Sequence, residues 1–217
     1  MNFNVYSLEF QRYIRPKNLL FAGANDMQEM LNKEVKTSYF KSFSKAVFIE
    51  ADPDIFKKLK ANVNTFNKKF QKSFIAKNAL ISNEDDEEYT FHVMSNGGQS
   101  SSIYELDTFH LNRFSTREVS QKKLTSKTLS TIIKESGLNN EKFDLELDLQ
   151  GAELNALKGL DLKYFNQIIS IFVEVSFDSY YKNAPLFPKI DEFLTERGFF
   201  ICPPHGPGFH GDLNGLF

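Results

Sequence analysis

The stretch LELDLQGAELNALKGL, Leu145 to Leu160, changes its period in the middle. Leu145, Leu147 and Leu149 alternate with Glu146 and Asp148, the two-residue repeat of an extended chain. After Gly151, the apolar residues Ala152, Leu154, Ala156 and Leu157 recur at helical spacing. A strand from Phe143 to Leu149 is therefore expected to turn at once into a helix from Ala152 to Leu157. Two acids sit on one face of that strand, and the helix opens with a third, Glu153. Such a joint is either an ordinary strand–turn–helix connection or the carboxyl-end rim of a parallel sheet, where α/β proteins hold their ligands.

The pattern on either side favours the rim. A strand fits Asn18 to Ala22 and runs into GANDM and a helix with apolar Met27, Met30, Leu31 and Val35. A second buried run, Ala46 to Glu50, ends in a carboxylate. Asp52 then supplies an N-cap, Pro53 the first helical position, and Ile55, Phe56, Leu59, Val63 and Phe66 one apolar stripe. SFIAKNALIS (residues 73–82) and EEYTFHVM (residues 87–94) read as extended, separated by a solvated turn at Glu84 to Glu88. KTLSTIIKESG is a short helix closed by Gly137, and IISIFVEVS is a further strand. The last helix, Phe187 to Arg197, carries Phe187, Ile190, Phe193 and Leu194 on one face. FFICP and the glycine-rich tail are expected as closing antiparallel strands. Strands alternating with helices predict an α/β fold, a mostly parallel sheet with helices on both faces. No repeat or linker divides the chain, so residues 1–217 are expected as a single domain with an irregular insertion around 97–121.

Composition narrows the function classes. The 217 residues are 41% hydrophobic and 25% charged with a formal net charge of −2, which gives no overall pull toward nucleic acid. Lys57, Lys58 and Lys60 fall on the solvated face of a helix. The single cysteine, Cys202, excludes an internal disulfide and argues against a cysteine-based metal site. No apolar run is long enough to span a bilayer, and MNFNVYSLEFQRYIRP lacks the apolar core of a signal peptide. The expectation is a cytoplasmic protein with a small-molecule or glycan substrate, no nucleic-acid partner and no stable membrane insertion. Homo-oligomerisation stays open.

In a parallel sheet the carboxyl ends of the strands share one rim. There stand Gly23, Ala24 and Asn25, then Glu50 with Ala51, then Asn78, Asp148 and Glu174. A glycine lets backbone approach a ligand, and a following helix start offers unpaired N–H groups. An acid ending the second strand suits a ribose diol. Together these describe a nucleoside-containing cofactor. G-x-G-x-x-G and the Walker loop are both absent, so S-adenosylmethionine fits better than a dinucleotide. Its amino-acid tail needs one close backbone approach rather than a pyrophosphate cradle. Asp148 either faces an acceptor hydroxyl or caps its own turn. Glu153 either meets the substrate or favours the helix dipole. Glu146, Asp148 and Glu174 would make an oxygen-ligand cluster only if all three shared one side of the sheet; no metal is expected. Ser100, Ser101 and Ser102 offer hydroxyls to cofactor or substrate, or form a simple loop. His205 and His210 are either ligands or exposed tail residues. Phe177, Tyr180 and Tyr181 follow a strand end, where they would stack on a sugar or pack under the last helix.

The motifs, taken in order, resemble one family. DLELDLQGAELNALKGL is similar to the signature of the FkbM-type methyltransferases, a strand-end aspartate followed by a Gln/Glu-Gly-Ala-Glu turn and an LKG helix end. GAND resembles the family's first loop, FIEADPDIFKKLKANV its second strand and helix, and NGGQSSS its serine motif. KTLSTII resembles the TLD helix, FVEVSFDSYYKNAPLFPKIDEFLTERGF the closing region, and HGDLNGLF the family's end. The resemblance implies a seven-stranded Rossmann-like sheet, S-adenosylmethionine as donor, and O-methylation of a hydroxyl, often on a saccharide or glycoconjugate. On that basis Gly23, Ala24 and Asn25 would hold the methionine part, Glu50 and Ala51 the ribose, and Asn78 the adenine region, with Ser101 and Asp148 also lining the cofactor. Asp148 and Glu174 would be catalytic, and Ser100, Glu153 and Tyr180 would bind substrate. The chain departs from the family at Phe21, commonly acidic or polar, at Met27, often glycine, and at Glu146, often Lys or Asn. Those departures keep a catalytically silent binding module as the alternative; missing glycines disfavour a nucleotide-dependent oxidoreductase.

Overall fold

A computed structural model describes residues 2–7, 17–28, 33–107 and 116–202. Strands β1 (Asn2–Ser7), β2 (Asn18–Ala22), β3 (Lys45–Glu50), β4 (Ile75–Asn78), β8 (Phe143–Leu147), β9 (Ile168–Glu174) and β10 (Phe199–Cys202) form one sheet. Its order is β10-β1-β9-β8-β2-β3-β4. The five strands from β9 to β4 are parallel, while β1 runs antiparallel to both β9 and β10. The mostly parallel α/β sheet expected from the sequence is thus present. β1, which no sequence signal marked, inserts between β9 and β10. The glycine-rich tail lies outside the described residues.

Parallel strands covered on both faces are apolar almost throughout, and β2 and β3 follow that rule. Leu20, Ala22, Val47, Ile49, Leu145, Leu147, Ile171 and Val173 point into one core, covered by α3 (Leu129–Glu135), α4 (Glu153–Lys158) and α6 (Phe187–Thr195). Leu19, Ala46 and Phe48 point the other way and meet Phe40 of α1 (Glu34–Lys41) and Leu59, Val63 and Phe66 of α2 (Pro53–Phe70). Each of the Leu, Val, Ile and Phe side chains removed from water contributes roughly 1.5–3 kcal/mol, so the two cores hold the sheet between its helices. Asp52 caps α2 by accepting from the Asp54 and Ile55 N–H groups, with Pro53 in the first turn, as the sequence predicts. A short helix α5 (Leu162–Phe165) precedes β9.

Residues 73–82 do not form one strand. The chain leaves the main sheet at Ala79, whose N–H donates to the Glu50 carbonyl at 3.1 Å, and enters a second sheet. That sheet has the order β5-β7-β6, from β5 (Leu80–Ile81), β6 (Glu88–Met94) and β7 (Glu118–Lys127). β7 corrects the expected end of the insertion at 121. It is largely solvent-facing, so it shows no apolar alternation to detect. Lys122 of β7 donates to Asp52 Oδ1 at 2.6 Å and Asp54 Oδ2 at 2.9 Å, which ties the small sheet to the start of α2. Among the described residues no helix is long and apolar enough to cross a membrane.

Candidate active site

β2 has β3 on one side and β8 on the other, so the strand order reverses there, the switch point at whose carboxyl ends α/β sheets hold their ligands. The Asp148 N–H donates to the Ala22 carbonyl at 3.0 Å, which carries the ladder one residue past β8. Gly23 follows with φ +85°, and a Cβ there would lie 1.8 Å from the Asp148 carbonyl oxygen. The glycine is therefore required by the chain's own backbone rather than by a ligand. Gly23 and Ala24 N–H both donate to the Ile49 carbonyl, at 3.0 and 2.9 Å. The N–H groups of Asn25, Asp26 and Gln28 are likewise taken within the chain, by Glu50 Oε2, Asn25 Oδ1 and Asp26 Oδ1, rather than left open to a ligand.

Glu50 ties the loops after β2 and β3 together. Its Oε2 accepts from the Asn25 N–H at 3.0 Å and its Oε1 from the Asp52 N–H at 2.8 Å. Burial pushes its carboxyl up from 4.5 to about 7, against those two hydrogen bonds. Asn78 Nδ2 donates to the backbone carbonyls of Glu50 and Ala51, at 2.8 and 3.0 Å, and so fixes the turn that carries Glu50. Asn25 Nδ2 reaches the Gly97 carbonyl at 3.3 Å and draws in the serine-bearing loop. Met27 has φ +51°, a conformation glycine adopts without strain, yet its side chain packs with Phe21 against the second core. Both departures from the family pattern are thus taken up by packing.

Alternation along β8 and its register with β9 (Asp144 opposite Ser170, Glu146 opposite Phe172) put Asp144, Glu146, Asp148 and Glu174 on one face. The shared side that sequence reasoning could not establish for Glu146, Asp148 and Glu174 therefore exists. Among the described residues, however, no group of three His, Cys, Asp or Glu side chains is arranged to hold a metal ion. Gln150 spans the gap instead: its Nε2 donates to Asp148 Oδ1 at 2.7 Å and Glu174 Oε2 at 2.5 Å. Burial, and next the Asp148 charge, hold the Glu174 carboxyl well above the usual carboxylate range. Glu174 accordingly keeps its proton and hydrogen-bonds to Asp148. The Tyr181 hydroxyl donates to Gln150 Oε1 at 2.6 Å. Gln150 escaped the sequence reading, where it appeared only as part of a turn.

The turn after β8 is held by Glu153. Its Oε1 accepts from the Leu149 N–H at 2.7 Å and its Oε2 from the Gly151 N–H at 3.0 Å, and the residue is 2% exposed. Burial raises its carboxyl to about 7. The expected substrate contact at Glu153 is corrected to an internal cap. Ser100 Oγ accepts from Asn96 Nδ2 at 2.8 Å, and Ser101 Oγ from the Met94 N–H at 3.0 Å. Ser102 Oγ donates to the Gln150 carbonyl at 2.7 Å, which joins the serine loop to the carboxyl pair. Tyr180 is half-buried, and its carbonyl accepts from the Asp107 N–H at 2.8 Å. His205 and His210 lie outside the described residues.

Glu146 gives a pH prediction. Its Oε2 is buried without a hydrogen-bond partner, and burial followed by the Asp148 charge lifts its carboxyl from 4.5 to about 8. A carboxyl raised on folding binds its proton in the native state while the unfolded chain has lost it, so stability falls as pH rises between those values. Glu50 and Glu153 act in the same direction between 4.5 and about 7. Denaturant unfolding should show stability falling from about pH 5 to pH 8. Glu146→Gln should flatten that decline and add on the order of a few kcal/mol at pH 8. A stability that rises over this range would contradict the assignment.

A family model described as Methyltransferase FkbM domain matches residues 22–201, from the last residue of β2 into β10. No curated protein and no solved structure matches the chain.

Proposed function

The chain belongs to the FkbM methyltransferase family, and from that premise we propose that it transfers a methyl group from S-adenosylmethionine to a hydroxyl oxygen of a saccharide or glycoconjugate. The observation that carries the reading is the division of labour at the β8 turn. Glu153 accepts the turn's N–H groups, which leaves Asp148 uncommitted to capping, at the switch point, with a protonated carboxyl beside it.

The residues present fit the donor. Glu50 spends one backbone hydrogen bond on each carboxylate oxygen, so each keeps lone-pair capacity for a ribose hydroxyl. Asn25 and the backbone of Gly23 and Ala24 would hold the methionine part, Ala51 and Asn78 the adenine region, and Ser101 would line the cofactor from the neighbouring loop. S-adenosylmethionine, when bound, supplies an electrophilic methyl carbon. The protein's share is to hold the acceptor oxygen in line and to take its proton. Asp148 would receive the hydroxyl proton as the methyl carbon's bond to sulfur breaks and its bond to the acceptor oxygen forms, with S-adenosylhomocysteine as the leaving group, while Gln150 and Glu174 keep the Asp148 carboxylate oriented. Ser100 and Tyr180 would bind the acceptor. In-line positioning supplies much of the rate, with proton transfer adding to it.

Calorimetric titration with S-adenosylhomocysteine should show saturable binding, and NAD none. Glu50→Ala should weaken that binding by about 1–3 kcal/mol, the scale of lost hydrogen bonds to a charged group. Binding of NAD alone would end the methyltransferase reading, and undiminished affinity in Glu50→Ala would move the ribose elsewhere.

A further inference from the structure

We infer that Gln150 is a positioning residue, clamped by Tyr181 and Ser102, that fixes the Asp148–Glu174 pair in one arrangement with Asp148 as proton acceptor and Glu174 as its hydrogen-bond donor. The catalytic meaning of this arrangement rests on the proposed methyl transfer; the arrangement itself does not. The primary amide is polar at both ends, and its orientation follows from its neighbours. Burial pushes the Tyr181 hydroxyl above its ordinary value, so it keeps its single proton; the Gln150 amide oxygen at 2.6 Å and the Ser100 carbonyl at 3.1 Å both face it, and the nearer amide oxygen takes it. The NH2 group then points at the carboxyls, one hydrogen toward Asp148 Oδ1 and one toward Glu174 Oε2.

The backbone is held as well. Gln150 has φ +54°, in the left-handed region that a non-glycine residue adopts only under strain. Its carbonyl, which accepts from Ser102 Oγ at 2.7 Å, is anchored from the neighbouring loop. Strain kept in place by two outside contacts on one residue is what a preorganised site needs. An amide donating to both carboxyls favours their charged forms. The charged and titratable groups facing the pair are Glu146 beside Asp148, Glu153 beneath the turn, and Tyr181.

Carboxyl-carbon NMR titration of the full chain, with no cofactor or acceptor added, reads this directly. In the parent protein Glu174 should titrate well above the usual carboxylate range. In Gln150→Leu, Asp148 should titrate about one pH unit higher, as expected for the loss of one hydrogen bond to a charged group. Tyr181→Phe, which frees the amide to rotate, should shift Asp148 the same way by a smaller amount. Glu135, remote on α3, should not move in either variant. An unchanged Asp148 midpoint in the folded variants would overturn the proposal. If Gln150→Leu does not fold, Tyr181→Phe decides by the same criterion. A null shift alongside normal S-adenosylhomocysteine binding would remove the role of Gln150 and leave the methyltransferase reading standing.

Discussion

Asp148→Asn should fold normally, bind S-adenosylhomocysteine as the parent does, and transfer methyl groups about 10²–10⁴-fold more slowly, the range of a lost proton-transfer group. The substitution keeps size and keeps an oxygen that can accept from Gln150 Nε2. It removes only the charge that receives the acceptor proton. A capping role would leave it nearly silent, because asparagine caps as well as aspartate. The structure has already separated the two roles in space, since the turn's N–H groups go to Glu153. Single-turnover methylation at saturating cofactor is the measurement, with an acceptor found among glycans and glycolipids. A rate within about threefold of the parent, well below that range, would remove Asp148 from the chemistry.

Gly23→Ala should cost more than any other single methyl group added at the rim. The new Cβ would lie 1.8 Å from the Asp148 carbonyl oxygen and 2.6 Å from its carbon, both backbone atoms that cannot rotate away. Relief requires β2 and β8 to part at the switch point, on top of the penalty for a left-handed alanine at φ +85°. A loss of at least about 3–4 kcal/mol is expected, a large share of the 5–15 kcal/mol that holds a typical domain together. Gly97→Ala is the control. It has φ +72° but nothing within 4 Å of the added Cβ, so only the conformational penalty of roughly 1–2 kcal/mol applies. Equal losses in the two variants by denaturant unfolding would show that the close approach at Gly23 does not matter.

What the sequence made legible follows from where each signal comes from. The inner strands are covered on both faces, so their apolar runs at residues 18–22, 46–50 and 168–173 announced them. Asp52 and Pro53 marked the start of α2 because capping is a local, few-residue preference. β7 was invisible for the opposite reason: its side chains are mostly in water, and pairing with β6 rather than burial holds it. The rim positions could be listed from strand ends alone, but not their partners. Gly23 was read as room for a ligand when the room is filled by Asp148, a residue 125 positions away in the chain (148 − 23). Glu153 was read as a substrate contact or a helix-dipole acid, and only the fold reveals that its carboxylate turns back into the preceding turn. Gln150 carried no sequence signal of its own, since bridging depends on Glu174 arriving at the end of β9 and Tyr181 from beyond it.

Hydrogen exchange with and without S-adenosylhomocysteine tests the central claim, a donor site at the carboxyl ends of β2, β3 and β8. A ligand that binds only the folded site slows local opening around it. Slowed exchange is expected within residues 23–27, 50–54, 95–102 and 148–151. Residues of the β1–β10 edge should be unaffected. Protection confined to other segments, or none at saturating ligand, would contradict the account.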